Sequence, residues 1–374
     1  MKIGILSMQR IPNMGSVIQA YGLKKILNSM GHEIYFIDIE PNHDEDLLMK
    51  DSRMIFHESG EKNGIIKKQL SRIDCYFFYK LLHKFEYKKQ LKKYDNFREK
   101  YLDINNVYNG ILDYCIIGSD EVFNAAQNAP WGYTSQLFGN VKQANRVITY
   151  AASCGATREE NLPSLVKNSI SYALNKLSSI SVRDNNTANF VSKLLPGKEI
   201  DYNLDPAFIS DFTDEINNAT VSWLPDHYCL VYAYKDRIHN KIEMTTIKNF
   251  CKRKKLTLIT IQAPQKWIRK YRSMSPFEAL NVFEKADFVI TDTFHGTIFS
   301  SKYSKKFMTI VRDSNREKLS DLIERIGIQA HKAECITDDI LEKHYLIEND
   351  FDKIESIRQT EFEKTKEYFL RNLV

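Results

Sequence analysis

The stretch ITDTFHGTIFS, residues 290–300, begins as an apolar strand and ends as the opening of a helix. Between the two it places Thr291, Asp292, Thr293 and His295 together, with Gly296 and Thr297 following at once. In open α/β sheets ligands bind beyond the carboxyl ends of the strands, so such a junction is where the fold puts its chemistry. A helix N-terminus carries positive partial charge and favours an anion. A histidine there can hydrogen-bond a phosphate or move a proton near neutrality, and Asp292 can fix its tautomer. The alternative is an N-capping loop with an ordinary histidine. The other eight histidines are scattered singly; only His295 has such company.

Outward from this point, strand-like and helix-like patterns alternate along nearly the whole chain. KIGILS (2–7), EIYFIDIE (33–40), YCIIGSD (114–120), RVITYAAS (146–153), SSISVRD (178–184) and EIDYNLDP (199–206) read as strands of a first series. YCLVYAYK (228–235), LTLITIQ (256–262), DFVITD (287–292) and KFMTIV (306–311) read as a second. Helical spacing fills 16–31, 238–253, 276–285, 295–304 and 316–326, and Gly31 is a natural C-cap. This alternation argues for parallel sheets covered by helices. Residues 213–227 lose periodicity and read as a linker between domains 1–212 and 228–345. Residues 346–374 form a terminal amphipathic helix. The expected fold is α/β, with two doubly wound Rossmann-like domains facing across a cleft, a GT-B-like arrangement.

Composition sets the class. A chain of 374 residues is long enough for two domains at roughly 100–200 residues each. No apolar run approaches the ~18 residues of a membrane-spanning helix, and MKIGILSMQR is broken too early for a signal peptide. Cysteines 75, 115, 154, 229, 251 and 335 show no paired spacing, so a reduced cytoplasmic protein without a zinc site is expected. The net charge of +5 is unevenly placed: residues 61–100 hold twelve Lys or Arg against five Asp or Glu, amid many Tyr and Phe. Such a segment can lie on an anionic membrane surface. It can equally be a helix with a buried aromatic stripe and a solvated lysine face. No nucleic-acid-binding motif accompanies the charge.

Other strand ends add candidates. After the first strand, Asn13, Gly15 and Ser16 open a helix whose N–H groups can receive an anion or a sugar hydroxyl; a plain turn with an N-cap fits equally well. Gly118, Ser119, Asp120 and Glu121 follow the third strand, where Asp120 can orient a hydroxyl or act as base, or cap a helix with Ser119. Arg183 ends another strand among apolar neighbours. Its counter-ion is either a ligand or Asp184. Asp205-Pro206 reads as a structural turn. Lys235 is a further phosphate candidate.

Together these motifs resemble the polysaccharide pyruvyl transferases. The ordered segments are NMGSVIQAYGLKKIL, IIGSDEVFN, YAASCG, SVRD, LDPAF and ITDTFHGTIFS. Met14, Ile18, Gly22, Glu121 and Phe123 depart from the family's residues, near the expected cleft. The resemblance implies transfer of pyruvate from phosphoenolpyruvate to two hydroxyls of one sugar, as a ketal, in a cell-surface polysaccharide or its lipid-linked precursor. No metal-ligand cluster is visible in the sequence and this chemistry does not demand one, so neither metal nor cofactor is expected, with phosphoenolpyruvate as donor substrate. On this reading His295, Asp120 and Asp292 are catalytic, and Arg183, His295, Gly296, Thr297 and Lys235 bind the donor, with the second domain as the donor side. Asn13, Gly15, Ser16, Gln19, Ser119, Asp120 and Glu121 contact the acceptor from the first. The protein would work in the cytoplasm, with peripheral contact at the inner membrane face through 61–100. The competing readings are a GT-B glycosyltransferase using a nucleotide-activated sugar and a non-catalytic saccharide-binding protein.

Overall fold

A computed structural model describes residues 1–41, 73–127, 129, 131–235 and 237–374, with only the backbone for 73–84. The short apolar runs form parallel strands. The first half contains β1 (Lys2–Leu6), β2 (Glu33–Ile37), β3 (Leu112–Ile117) and β4 (Ala144–Thr149), in the spatial order β2-β1-β3-β4. A parallel pair, β5 (Ser181–Val182) and β6 (Asp201–Tyr202), continues this sheet through bridges from Ile148 to Ser179 and Ala152 to Val182. The second half contains β7 (Tyr228–Tyr232), β8 (Thr257–Ile261), β9 (Lys270–Arg272), β10 (Phe288–Thr291), β11 (Phe307–Ile310) and β12 (Lys332–Ala333). Their order, β12-β11-β10-β7-β8-β9, is that of a doubly wound dinucleotide-type sheet. The fold is two Rossmann-like domains facing across a cleft.

In each sheet the chain reverses its winding at one place. That switch point lies between β1 and β3 in the first sheet and between β7 and β10 in the second. Crossover helices leave on opposite sides there, so a crevice opens beyond the strand ends. The helices that matter for the site are α1 (Met14–Ser29), α2 (Ile73–Phe97), α3 (Pro206–Ile209), α4 (Pro276–Lys285), α5 (Phe294–Tyr303), α6 (Arg316–Arg325) and α7 (Phe351–Asn372).

The sequence patterns missed β9 and β12, which have three and two residues and no room for periodicity. The expected linker holds a short helix, Thr213–Asn217. The basic aromatic stretch divides. Residues 61–72 lie outside the described residues. The C-terminal part of α2 is packed: Tyr94 and Phe97 are buried, and Phe97 joins Tyr21, Tyr101 and Phe277 in an edge-to-face aromatic cluster. Lys93 pairs with Glu278 at 2.7 Å, and Arg98 donates to the carbonyls of Gln9 and Arg10. This helix therefore ties the second domain to the first.

A second tie is α7, whose C-terminal half returns to the first sheet. Phe369 stacks on Tyr150 with centroids 4.9 Å apart, and Tyr368 donates to the Thr149 carbonyl at 2.7 Å. Phe369 is fully buried. Its truncation to alanine leaves a cavity, so Phe369→Ala is expected to lower unfolding stability by about 3–5 kcal/mol in urea denaturation.

Candidate functional site

Asp205 stands at the centre of the strand-end crevice. Proline at 206 and the N-cap bond from Ala207 N–H to Asp205 Oδ1 at 2.9 Å start α3 and fix the carboxylate. Its Oδ2 accepts from Ser119 Oγ and from Arg183 Nη1, both at 2.8 Å. His295 Nε2 lies 3.5 Å from the same oxygen. Asp205 is wholly buried. Burial alone would raise its carboxyl pKa. The facing His295 and Arg183, with the Ala207 N–H, outweigh that and hold it well below the usual carboxylate range. Asp205 is thus an anion at neutral pH.

Around this carboxylate the donors are only partly used. Arg183 lies with its guanidinium 4.0 Å from the centre of the Phe294 ring, and its Nε is buried without a hydrogen-bond partner. His295 Nε2 is likewise buried, with no contact tighter than its 3.5 Å approach to Asp205. The imidazole is held from its other side by α1. A Cβ on Gly15 would lie 2.0 Å from His295 Nδ1, so glycine is the residue that lets the two domains close on this ring.

A second group of charges lies at the end of β3. Asp120 has φ of 78°, an uncommon setting for a residue with a side chain, and it accepts from Ser16 Oγ at 2.6 Å. Its neighbour Glu121 pairs across the cleft with Lys318 of α6 at 3.0 Å and accepts from Asn124. Burial would raise Glu121, but Lys318 and Asn124 hold it below the usual range. On the second domain's side, Asp292 is buried beside Arg237, 3.4 Å away. Burial pushes its carboxyl up to about 6, and Arg237 and Arg312 offset this only in part. Between the domains a cleft is lined by Asn13, Tyr94, Tyr232, Tyr234, Gln262 and His295, among others. Among the described residues, no group of three or more His, Cys, Asp or Glu is arranged to hold a metal ion.

The sequence profile of the polysaccharide pyruvyl transferases matches residues 13–314, a span that contains all of these groups except Lys318. The chain belongs to this family. No curated protein matches it. Solved structures with a similar course include the UDP-GlcNAc 2-epimerase of Methanocaldococcus jannaschii, at 13% identity and a TM-score of 0.46, covering 96% of this chain and 99% of that one. Another is the spinosyn forosaminyltransferase SpnP, at 12% identity and 0.40, covering 97% and 95%.

In this pyruvyl transferase family member, the structure brings His295, Arg183, Gly15, Ser16, Ser119 and Asp120 to one crevice. It also revises the expected roles of several residues. His295 faces Asp205, not Asp292; the latter points to Arg237. The counter-ion of Arg183 is Asp205, whereas Asp184 caps the following helix through the Thr187 N–H at 2.8 Å. Gly296 N–H and Thr297 Oγ1 are spent within α5 on Thr293, the first on its hydroxyl and the second on its carbonyl. Asn13 is an N-cap, accepting from Gly15 N–H at 2.9 Å, so those amides are already occupied. Gln19 is fully buried and clamps Ser7 Oγ to the Ser119 N–H. Lys235 is exposed; the charged residue of that loop that turns inward is Arg237.

Two measurements follow from this geometry. Gly15→Ala should push the imidazole off its seat while leaving the sheets intact. Expected is a changed His295 resonance in NMR with an unchanged circular dichroism spectrum. For Asp292, whose ordinary value is 3.8, a folded value of about 6 means the folded chain binds a proton that the unfolded chain has released. Stability from this group is full below about pH 4 and lost as pH rises through 6. Asp292→Asn should therefore flatten the pH dependence over that window, removing a slope worth up to about 3 kcal/mol in denaturant melts.

Proposed function

We propose that the protein transfers pyruvate from phosphoenolpyruvate to a saccharide acceptor and closes a cyclic ketal on two of its hydroxyls. The observation that carries this reading is the pair of buried nitrogen groups beside one anchored carboxylate: Arg183 Nε, without a hydrogen-bond partner, and His295 Nε2, which has only a loose 3.5 Å approach to Asp205. Buried polar atoms left unpaired cost free energy unless a ligand pairs them. A small anion bearing both a carboxylate and a phosphate supplies the acceptors they lack.

The chemistry asks for one proton donor and one acceptor. Protonation of the enol methylene by His295 makes an oxocarbenium-like carbon. A sugar hydroxyl adds to it and gives its proton to Asp120, which Ser16 orients. Phosphate then leaves with its bonding electron pair. The second hydroxyl closes the ring and returns its proton to His295, while the proton held by Asp120 passes to the departing phosphate, so both groups are restored. Asp205 orients the imidazole through the approach to Nε2, and Arg183 holds Asp205 in place. Asp292 has no direct part, because it is turned away from His295.

The acceptor in this reading is a cell-surface polysaccharide unit, lipid-linked at the inner membrane face. The described part of α2 exposes Phe85 and Tyr87 beside Lys88, Lys89 and Lys92, a face suited to anionic lipid. No helix among the described residues is long and apolar enough to cross a membrane. Salt-sensitive co-sedimentation with anionic vesicles is expected, and its absence would remove this part of the proposal.

The direct test is thermal unfolding with phosphoenolpyruvate beside a panel of nucleotide sugars at matched concentrations. At ~100 times its dissociation constant a ligand adds about 2.7 kcal/mol of stability. A shift with phosphoenolpyruvate that His295→Asn abolishes is the expected result. A shift with a nucleotide sugar alone would make this member a glycosyltransferase.

A further inference from the structure

Gln262 follows β8 with φ of 64°, in the left-handed region that side chains avoid. It lines the interdomain cleft together with His295. The orientation of its amide is dictated by a chain of hydrogen bonds that begins at a backbone N–H. Met274 N–H can only donate, and it donates to Gln90 Oε1 at 2.9 Å. Gln90 Nε2 must therefore be the donor end, and it reaches Gln262 Oε1 at 2.7 Å. Tyr94 Oη donates to the same oxygen, also at 2.7 Å. With Oε1 accepting twice, the amide NH2 group is turned the other way, and it is buried with no partner.

The wall around it decides what it can meet. The described lining of this cleft contains the rings of Tyr94, Tyr232 and Tyr234 and no Lys or Arg. Apart from His295, which this cleft shares with the crevice, its lining offers an anion no basic side chain; Arg183 and Lys318 stand with Asp205 and Glu121. Aromatic faces beside a neutral donor suit a ring with an apolar carbon face and equatorial or axial hydroxyls.

We infer that Gln262 is a specificity-determining residue for the acceptor: its amide donates to a hydroxyl of a neutral hexopyranose seated against Tyr232 and Tyr234, with α2 holding the amide in register through Gln90 and Tyr94. This rests on the saccharide half of the proposed function. It moves the acceptor's main polar contact from the first-domain loops to the β8 end of the second sheet. A site built to hydrogen-bond a hydroxyl discriminates against the analogue that lacks it, because its own buried group is then left unpaired.

The test titrates the full chain with methyl glucoside, galactoside and mannoside and their monodeoxy analogues, followed by saturation-transfer NMR. Phosphoenolpyruvate is measured separately by thermal shift. Gln262→Glu keeps an oxygen for Gln90 and Tyr94 and replaces the donor by a carboxylate oxygen, which can only accept. It should weaken the best hexopyranoside about tenfold; the phosphoenolpyruvate shift is compared between the native chain and Tyr94→Phe, which adds no charge, and should be the same in both. One deoxy analogue should bind the native chain about tenfold more weakly and lose nothing further in the variant. Tyr94→Phe, which frees one bond to Oε1, should give a smaller loss of two- to threefold and stands in if the first variant does not fold. Native-like binding by both variants, or no hexopyranoside binding by the native chain, overturns the inference. The expected saccharide pattern without any phosphoenolpyruvate shift supports it and rejects the donor assignment alone.

Discussion

A wholly buried carboxylate is tolerable only where donors converge on it, and Asp205 has them from three directions. Ser119 arrives from the end of β3, Arg183 from the end of β5, and the Ala207 amide from the turn of α3. Each of those groups is placed by a different strand end, so the ion is also a statement of where the strands must stop. His295 then enters from the other domain and completes the ring of positive potential. The two sheets are registered against each other by this charge and by the absence of a side chain at Gly15. Removing one partner leaves the others buried and uncompensated, which is why the site and the fold cannot be separated energetically.

The sheets themselves were written openly in the sequence. Strands such as Tyr228–Tyr232 and Phe288–Thr291 are continuous apolar runs flanked by amphipathic helices, and runs of that kind have few other ways to be buried. The helix starts were equally legible where a capping box or an N-cap residue precedes them, as Ser275 precedes α4. The short strands Lys270–Arg272 and Lys332–Ala333 were not, since pairing with a longer neighbour, not their own pattern, makes them strands.

The site was legible as a location and less so as a set of partners. His295 and Arg183 could be placed at strand ends from the alternation alone. Their common counter-ion could not, because Asp205 is distant in sequence from both and its Asp-Pro turn has a sufficient local explanation. Asp292 and Asp184 were nearer in sequence and each found another task, beside Arg237 and at Thr187. Lys318 and Gln262 gave no local signal at all. One looks like an ordinary charged helix position, the other like the last residue of a strand, and only the closure of the two domains gives them neighbours that matter.

The helix α2 carries a consequence of a mechanical kind. Its Gln90, Lys93 and Tyr94 grip the second domain, while Arg98, just past its end, grips the first through the carbonyls of Gln9 and Arg10. A hinge movement wide enough to separate the domains must break one set of these bonds and expose the backbone between them. Occupancy of the cleft and resistance of this connection to a protease are then coupled quantities. A ligand that bridges the domains shields a peptide segment that it does not itself touch.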